Sequence, residues 1–163
     1  MTELIPADKA RELVSKAAPN REEAEADTLA NAALTWAMKN AEGQTASRIM
    51  TYAKYGKTDL TVKFAPGESD HGGEGNAFYN DLLANSNVRV ADAITDIIYG
   101  REQNVLSPIQ EMRLLNFYNA RLVKFVKDLK RMGYTVDSGT ASSATHGYIH
   151  KDDSTILVSW PSE

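Results

Sequence analysis

The chain has 163 residues, 42% of them hydrophobic and 25% charged, with a formal net charge of −4 and no cysteine. This composition belongs to a folded domain and excludes a disordered tail, a fibre, a disulfide scaffold, a thiolate nucleophile and any Cys-ligated zinc or iron–sulfur centre. No run of ~18 apolar residues is present and the opening stretch Met1 to Pro6 lacks the basic and apolar regions of a secretory signal, so neither membrane insertion nor export is expected.

Pro6 and the residues from Ala7 to Ala18 predict a short first helix ended by Pro19, because proline disfavours helical geometry in the residue before it. Asn20 and Glu23 have capping-box spacing and predict the start of a second helix. Its buried face is expected to hold Leu29, Ala32, Ala33 and Trp36, with Ala24, Ala26, Ala30 and Ala37 allowing close approach of another helix. Gly43 either breaks this helix or is absorbed at ~1 kcal/mol. Ile49, Met50 and Ala53 carry the helical period on to Gly56, a residue suited to a left-handed C-terminal cap.

From Asp59 to Phe64 the period changes to two, with Leu60, Val62 and Phe64 on one side, which predicts a half-buried strand. Residues 65–76 are rich in glycine and predict a long flexible loop. Two modest helices are expected over 77–85 and 90–99. Ser107, Pro108 and Gln110 then occupy the N-cap, first and third positions of a long helix over 108–132, stopped by Gly133. At ~100° per residue its apolar face reads Met112, Leu115, Tyr118, Leu122, Phe125, Val126 and Leu129. Strands are predicted at 134–136, 148–150 and 155–160, the last two as a hairpin, with Ile156, Val158 and Trp160 sharing a face. The elements describe an α+β fold: a mostly helical single domain over 1–163, with a small antiparallel sheet packed on the long helix of the C-terminal half.

Charge is segregated. Residues 107–134 carry +4, leaving −8 on the rest of the chain. Within the long helix Arg113, Lys124, Lys127 and Arg131 fall in a sector of about 60° away from the apolar face, with Phe117 beside it. Cations next to an aromatic can hold an anionic partner or stack a base, although a solvated helix face accounts for the same pattern. The acidic total argues against a general nucleic-acid binder, since phosphate contacts need clustered, uncompensated bases.

Three other constellations bear on chemistry. Val136-Asp137-Ser138-Gly139-Thr140 looks like the catalytic loop of aspartic proteases, which work with two such carboxylates; here the pattern occurs once, and a polar turn leaving a strand explains it. The histidines His71, His146 and His150, with Asp70, Asp152 and Asp153, are candidate metal ligands. On a strand, however, positions 146 and 150 stand ~13 Å apart, so three histidines without a shared role is the preferred reading, and no cofactor is expected. His71-Gly-Gly-Glu-Gly75 could form a cradle of backbone donors, but the nucleophile-elbow and P-loop motifs that would accompany one are absent.

The segment Leu129-Lys-Arg-Met-Gly-Tyr-Thr-Val136 and the last strand Thr155-Ile-Leu-Val-Ser-Trp160 together resemble small proteins encoded by tailed bacteriophages. Ala10-Arg-Glu-Leu13 and the corner Tyr55-Gly-Lys-Thr-Asp-Leu-Thr-Val62 look like the front half of the same layout, so about half of the chain is covered. The glycine-rich loop and the helices of 76–100 depart from it and look like an insertion. The resemblance implies a virion component or an accessory, anti-host factor, in the host cytoplasm or the particle, and brings no catalytic residues. The expectation is therefore a non-enzymatic phage protein acting through protein contacts, with the phage particle, a host protein or a second copy of the chain as partner. An anion- or nucleic-acid-binding module using the basic face is the first alternative, and a metal-assisted hydrolase using the histidines is the second.

Overall fold

A single helix, α1 (Ala7–Lys54), takes the place of the two helices predicted at the start. The computed structural model describes residues 4–66, 77–138 and 155–161, without the side chains of 14–21, 138 and 155. The backbone stays helical through Pro19, so neither the stop at Ala18 nor the restart at Asn20 occurs. An internal proline forfeits one backbone hydrogen bond and crowds the preceding turn, at ~3 kcal/mol. Its flanks, rich in Ala and Glu, are among the strongest helix-forming sequences, and they continue the helix across it.

Gly43 is likewise absorbed in α1. It is exposed, and a Cβ placed on it meets nothing within 4 Å. Gly43→Ala is therefore expected to stabilise the protein by about 0.5–1 kcal/mol. A calorimetric melt should show Tm rising by about 1–4 °C, and a lower Tm would mean that the helix is not continuous at this point.

The buried face of α1 is an alanine stripe. Ala30, Ala33, Ala37 and Ala41 are buried with Leu34 and Met38, while Ala32 and Trp36, expected inside, are exposed. Small side chains let several elements approach one helix closely, which the larger indole would prevent. The stripe receives α2 (Ala77–Ala84), α3 (Val88–Ile98) and α4 (Pro108–Arg131). Asn40 Nδ2 donates to Asp81 Oδ2 at 2.8 Å, tying α1 to α2. Asn87 caps α3, its Oδ1 accepting from the Val90 N–H at 3.0 Å. Phe78, Leu82, Val90, Ile94, Ile97 and Ile98 are all buried in the same core. The helices α2 and α3 are thus built into the core, whatever the departure of this region from the phage-like pattern.

α4 begins where its local chemistry places it: Ser107 Oγ accepts from the Gln110 N–H at 3.2 Å and Pro108 opens the helix. The other half of the expected box, a hydrogen bond from the Ser107 N–H to Gln110 Oε1, is not among the hydrogen bonds of the described residues; the Gln110 side chain is buried and its Nε2 has no partner. The face that packs inward is Leu114, Tyr118, Leu122, Val126 and Leu129. Met112 is 65% exposed, and Leu115 and Phe125 lie at the margin of the core. Leu114 thus replaces Met112, since the centre of a broad apolar face is set by what it packs against.

The sheet has the order β1-β3-β2, formed by Asp59–Lys63, Thr155–Ser159 and Thr135–Ser138, with β3 antiparallel to both neighbours. Asp59 and Thr135 both stand opposite Ser159, so β1 and β2 run parallel on either side of the last strand. Each is entered from a helix through a glycine in the left-handed region, Gly56 at φ +78° and Gly133 at φ +102°, where a Cβ would be strained. As a result α1 and α4 finish at the same end of the strands, each beside one of the two opposite edge strands. Leu60, Val62, Ile156 and Val158 are buried, and the Phe64 ring lies 5.3 Å from Phe125 of α4. Tyr118 Oη donates to the Phe64 carbonyl at 2.6 Å. The α+β class with a small antiparallel sheet against the 108–132 helix is as expected, with α1 as its second support.

Candidate functional site

The outer surface of α4 carries the basic residues singled out in the sequence. The helix is amphipathic, so once Leu114, Tyr118, Leu122 and Val126 turn inward, the cations are left outside. Lys124, Lys127 and Arg131 lie within two turns of one another and line a shallow trough of about 450 Å³ with Ala120, Val123 and Asp128. A second trough of about 530 Å³, towards α1, shares Ala120, Lys124 and Asp128 with the first and adds Phe117, Arg121 and Glu42. Together they make one depression with an apolar floor and charged walls.

Two features in it were not among the expected site residues. The Asp128 carboxylate sits at the centre of the stripe, accepting from Lys124 Nζ at 3.0 Å and also from Arg131. The hydrogen bond from Lys124 is the main cause that holds this carboxyl below the ordinary range; desolvation opposes it, and the charges of Lys124 and Arg131 add to the lowering. The spacing i, i+4 and i, i−3 signals this pairing in the sequence. Arg121, by contrast, turns towards α1 and grips Glu42, with Nη2 at 2.8 Å and Nε at 3.2 Å from the two carboxylate oxygens. Its guanidinium also lies 5.9 Å from the Phe117 ring centre, leaving that ring 38% exposed at the mouth of the trough. Nothing local announces a pair 79 residues apart.

Arg113 does not join this group. It is exposed, but eleven residues from Lys124, a helical rise of about 16 Å, and it lines neither trough. Lys127 and Arg113 have no ion-pair partner among the described residues. The face therefore brings together Phe117, Lys124, Lys127 and Arg131 around an acidic centre, and leaves Arg113 apart.

The other candidates are quickly placed. His71, His146 and His150, the 67–76 part of the glycine-rich loop, and the predicted strand at 148–150 lie outside the described residues. Among the described residues no group of three or more His, Asp or Glu side chains could hold a metal ion. Asp137 is exposed on β2 opposite Leu157, a strand position that leaves its side chain in solvent. A separate depression beside α3 holds Asp92, Asp96 and Glu102, but Asp96 is paired with Arg101 at 3.3 Å and Asp92 accepts from Tyr79 Oη at 2.7 Å. No helix among the described residues is long and apolar enough to cross a membrane. No family model, no curated protein and no solved structure matches this chain.

Proposed function

We propose that the chain is a non-enzymatic protein acting through protein contacts, of the tailed-bacteriophage kind that its helix–Gly-Tyr–strand pattern resembles, either as a part of the particle or as an accessory factor that meets a host protein. The observation that carries the protein-contact reading is the depression on α4, where Phe117, Ala120 and Val123 offer apolar surface beside Lys124, Lys127 and Arg131. An acidic amphipathic segment suits it, with apolar side chains on the floor and carboxylates reaching the cations. A nucleic-acid backbone suits it less well. Asp128 lies between the cations and already occupies two of them, and phosphate binding needs clustered positive charge without an anion at its centre. The net charge of −4 acts in the same direction.

The test is the double charge reversal Lys124→Glu with Lys127→Glu, which alters exposed positions only. Wild-type protein is expected to show no binding to DNA or RNA oligonucleotides at ~150 mM salt. Its association with an identified phage or host protein, recovered from infected cells and reconstituted from pure components, should slow in the double variant. Submicromolar oligonucleotide binding at ~150 mM salt, lost in the double variant, would instead establish the nucleic-acid-binding alternative.

A further inference from the structure

Among the described residues, the part of α1 from Glu25 to Lys54 is covered on one side only. Asn40 reaches Asp81 of α2, and Glu42 holds Arg121 of α4. At ~100° per residue these two contacts mark the limits of the covered side, with the row Ala30, Ala33, Ala37 and Ala41 between them. The opposite side carries Glu25, Leu29, Ala32 and Trp36 on one half and Gly43, Ser47, Met50 and Lys54 on the other, within a sector of about 60°. Trp36 is 48% exposed and Met50 62%; Leu29 is half-buried and the rest are exposed. The solvent side of a helix is ordinarily charged. Between Glu25 and Lys54 this side has a single charge, Lys39, on its flank.

The eight positions are symmetrical about a point between Lys39 and Asn40. A second copy of α1 turned end for end about that point sets Trp36 against Gly43, Leu29 against Met50, Ala32 against Ser47 and Glu25 against Lys54. The indole meets the residue without a side chain, the other two large apolar groups meet each other, and opposite charges meet at both ends of the seam. A Cβ added at Gly43 meets nothing within 4 Å, so the space above that backbone is open to a ring from outside. A parallel pair would instead stack Trp36 on Trp36 and align Glu25 with Glu25 and Lys54 with Lys54, so size and charge both select the antiparallel form.

We propose that the protein self-associates through this side of α1, antiparallel, about a two-fold axis beside residues 39 and 40. The seam is about 44 Å long at ~1.5 Å per residue and about 10 Å wide. That area is near the low end for a specific interface, so the dimer is expected to dissociate in the micromolar range. The two Lys39 side chains flank the axis on the same side, and their exposed position lets them splay into solvent, where their repulsion is screened. No residue of the seam lines either trough on α4, so the proposal is independent of that site.

Sedimentation equilibrium of the full chain from about 10 μM to 1 mM should show a monomer–dimer equilibrium. Trp36→Ala should weaken the dimer by at least about tenfold, and Gly43→Trp should weaken it as well by opposing two indoles. The double variant, Trp36→Ala with Gly43→Trp, exchanges large and small across the axis and should restore association. Thermal melts at about 1 μM, where the monomer prevails, keep folding separate from association. Because the chain has no cysteine, orientation can be read by cross-linking. An Ala32→Cys protein mixed with a Ser47→Cys protein should form a mixed disulfide. Ala32→Cys alone should not link to itself, its two copies standing about 22 Å apart along the seam. A monomer throughout the concentration range, a dimer indifferent to Trp36→Ala, a double variant that stays dissociated, or ready self-linking of Ala32→Cys would each overturn the proposal.

Discussion

Leu122→Ala is expected to destabilise the protein by about 2–5 kcal/mol, because a buried leucine loses both its transfer free energy and its packing contacts. Leu122 is fully enclosed, one turn from Tyr118 and one turn from Val126 on the inward row of α4. The same change at Leu129, 5% exposed, should fall in the same range. Met112→Ala is the matched control. It lies on the same helix and is 65% exposed, so its effect should stay within about 0.5 kcal/mol. Urea denaturation of the three variants distinguishes the two faces. Equal losses at Met112 and Leu122 would place the centre of the face where the sequence periodicity alone puts it, and an unaffected Leu122→Ala would mean that α4 docks by another side.

Phe64→Ala should cost about 3–5 kcal/mol, the range for emptying a core aromatic site. The ring is fully buried against Phe125, and the backbone of the same residue takes the Tyr118 hydroxyl. Tyr118→Phe keeps the ring but leaves the Phe64 carbonyl without that donor, at about 1–3 kcal/mol. The two sites share one contact, so the double variant should fall short of the sum. The buried phenol also responds to pH. Burial, with a smaller contribution from Tyr99, pushes the Tyr118 hydroxyl well above its ordinary range. Tyr79 is pushed up to about 12 by desolvation first and then by its hydrogen bond to Asp92 and that carboxylate's charge. In both cases the folded chain keeps a proton that the unfolded chain releases above the ordinary tyrosine value of 10.0. The associated stability is therefore complete below that pH and declines as pH rises from there towards the raised values. Thermal melts across alkaline pH should show this decline, and Tyr118→Phe should make it shallower. A decline of equal slope in wild type and variant would show that the Tyr118 proton is not linked to folding.

Several elements were legible in the sequence because their causes are local. Ser107 and Pro108 start α4 through the orphan N–H groups of its first turn. Gly56 and Gly133 stop α1 and α4 because each corner needs a positive φ. The alternation of Leu60 and Val62 with Thr61 and Lys63 identified β1, and the pattern of its burial agrees. The outward position of Lys124, Lys127 and Arg131 followed from the same helical periodicity, and the Asp128 pairing was readable from spacing within that helix.

What only the tertiary structure decided depends on groups distant along the chain. The last strand, β3, lies between β1 and β2 because its Ile156 and Val158 complete the buried layer that Leu60 and Val62 begin, and no local signal orders the three. Whether Pro19 ends a helix is a contest between a loss of ~3 kcal/mol and the propensity of the flanking turns, which the rule for a single residue does not weigh. The inward side of α1 is the alanine row, with Trp36 left outside, because close packing of three other helices on one face depends on side-chain size and on where those helices arrive. Arg121 has its partner only because the approach of α1 brings Glu42 to it across the helix interface. In each case the chain itself determined the apolar and charged residues available, and the meeting of distant segments determined which face they served.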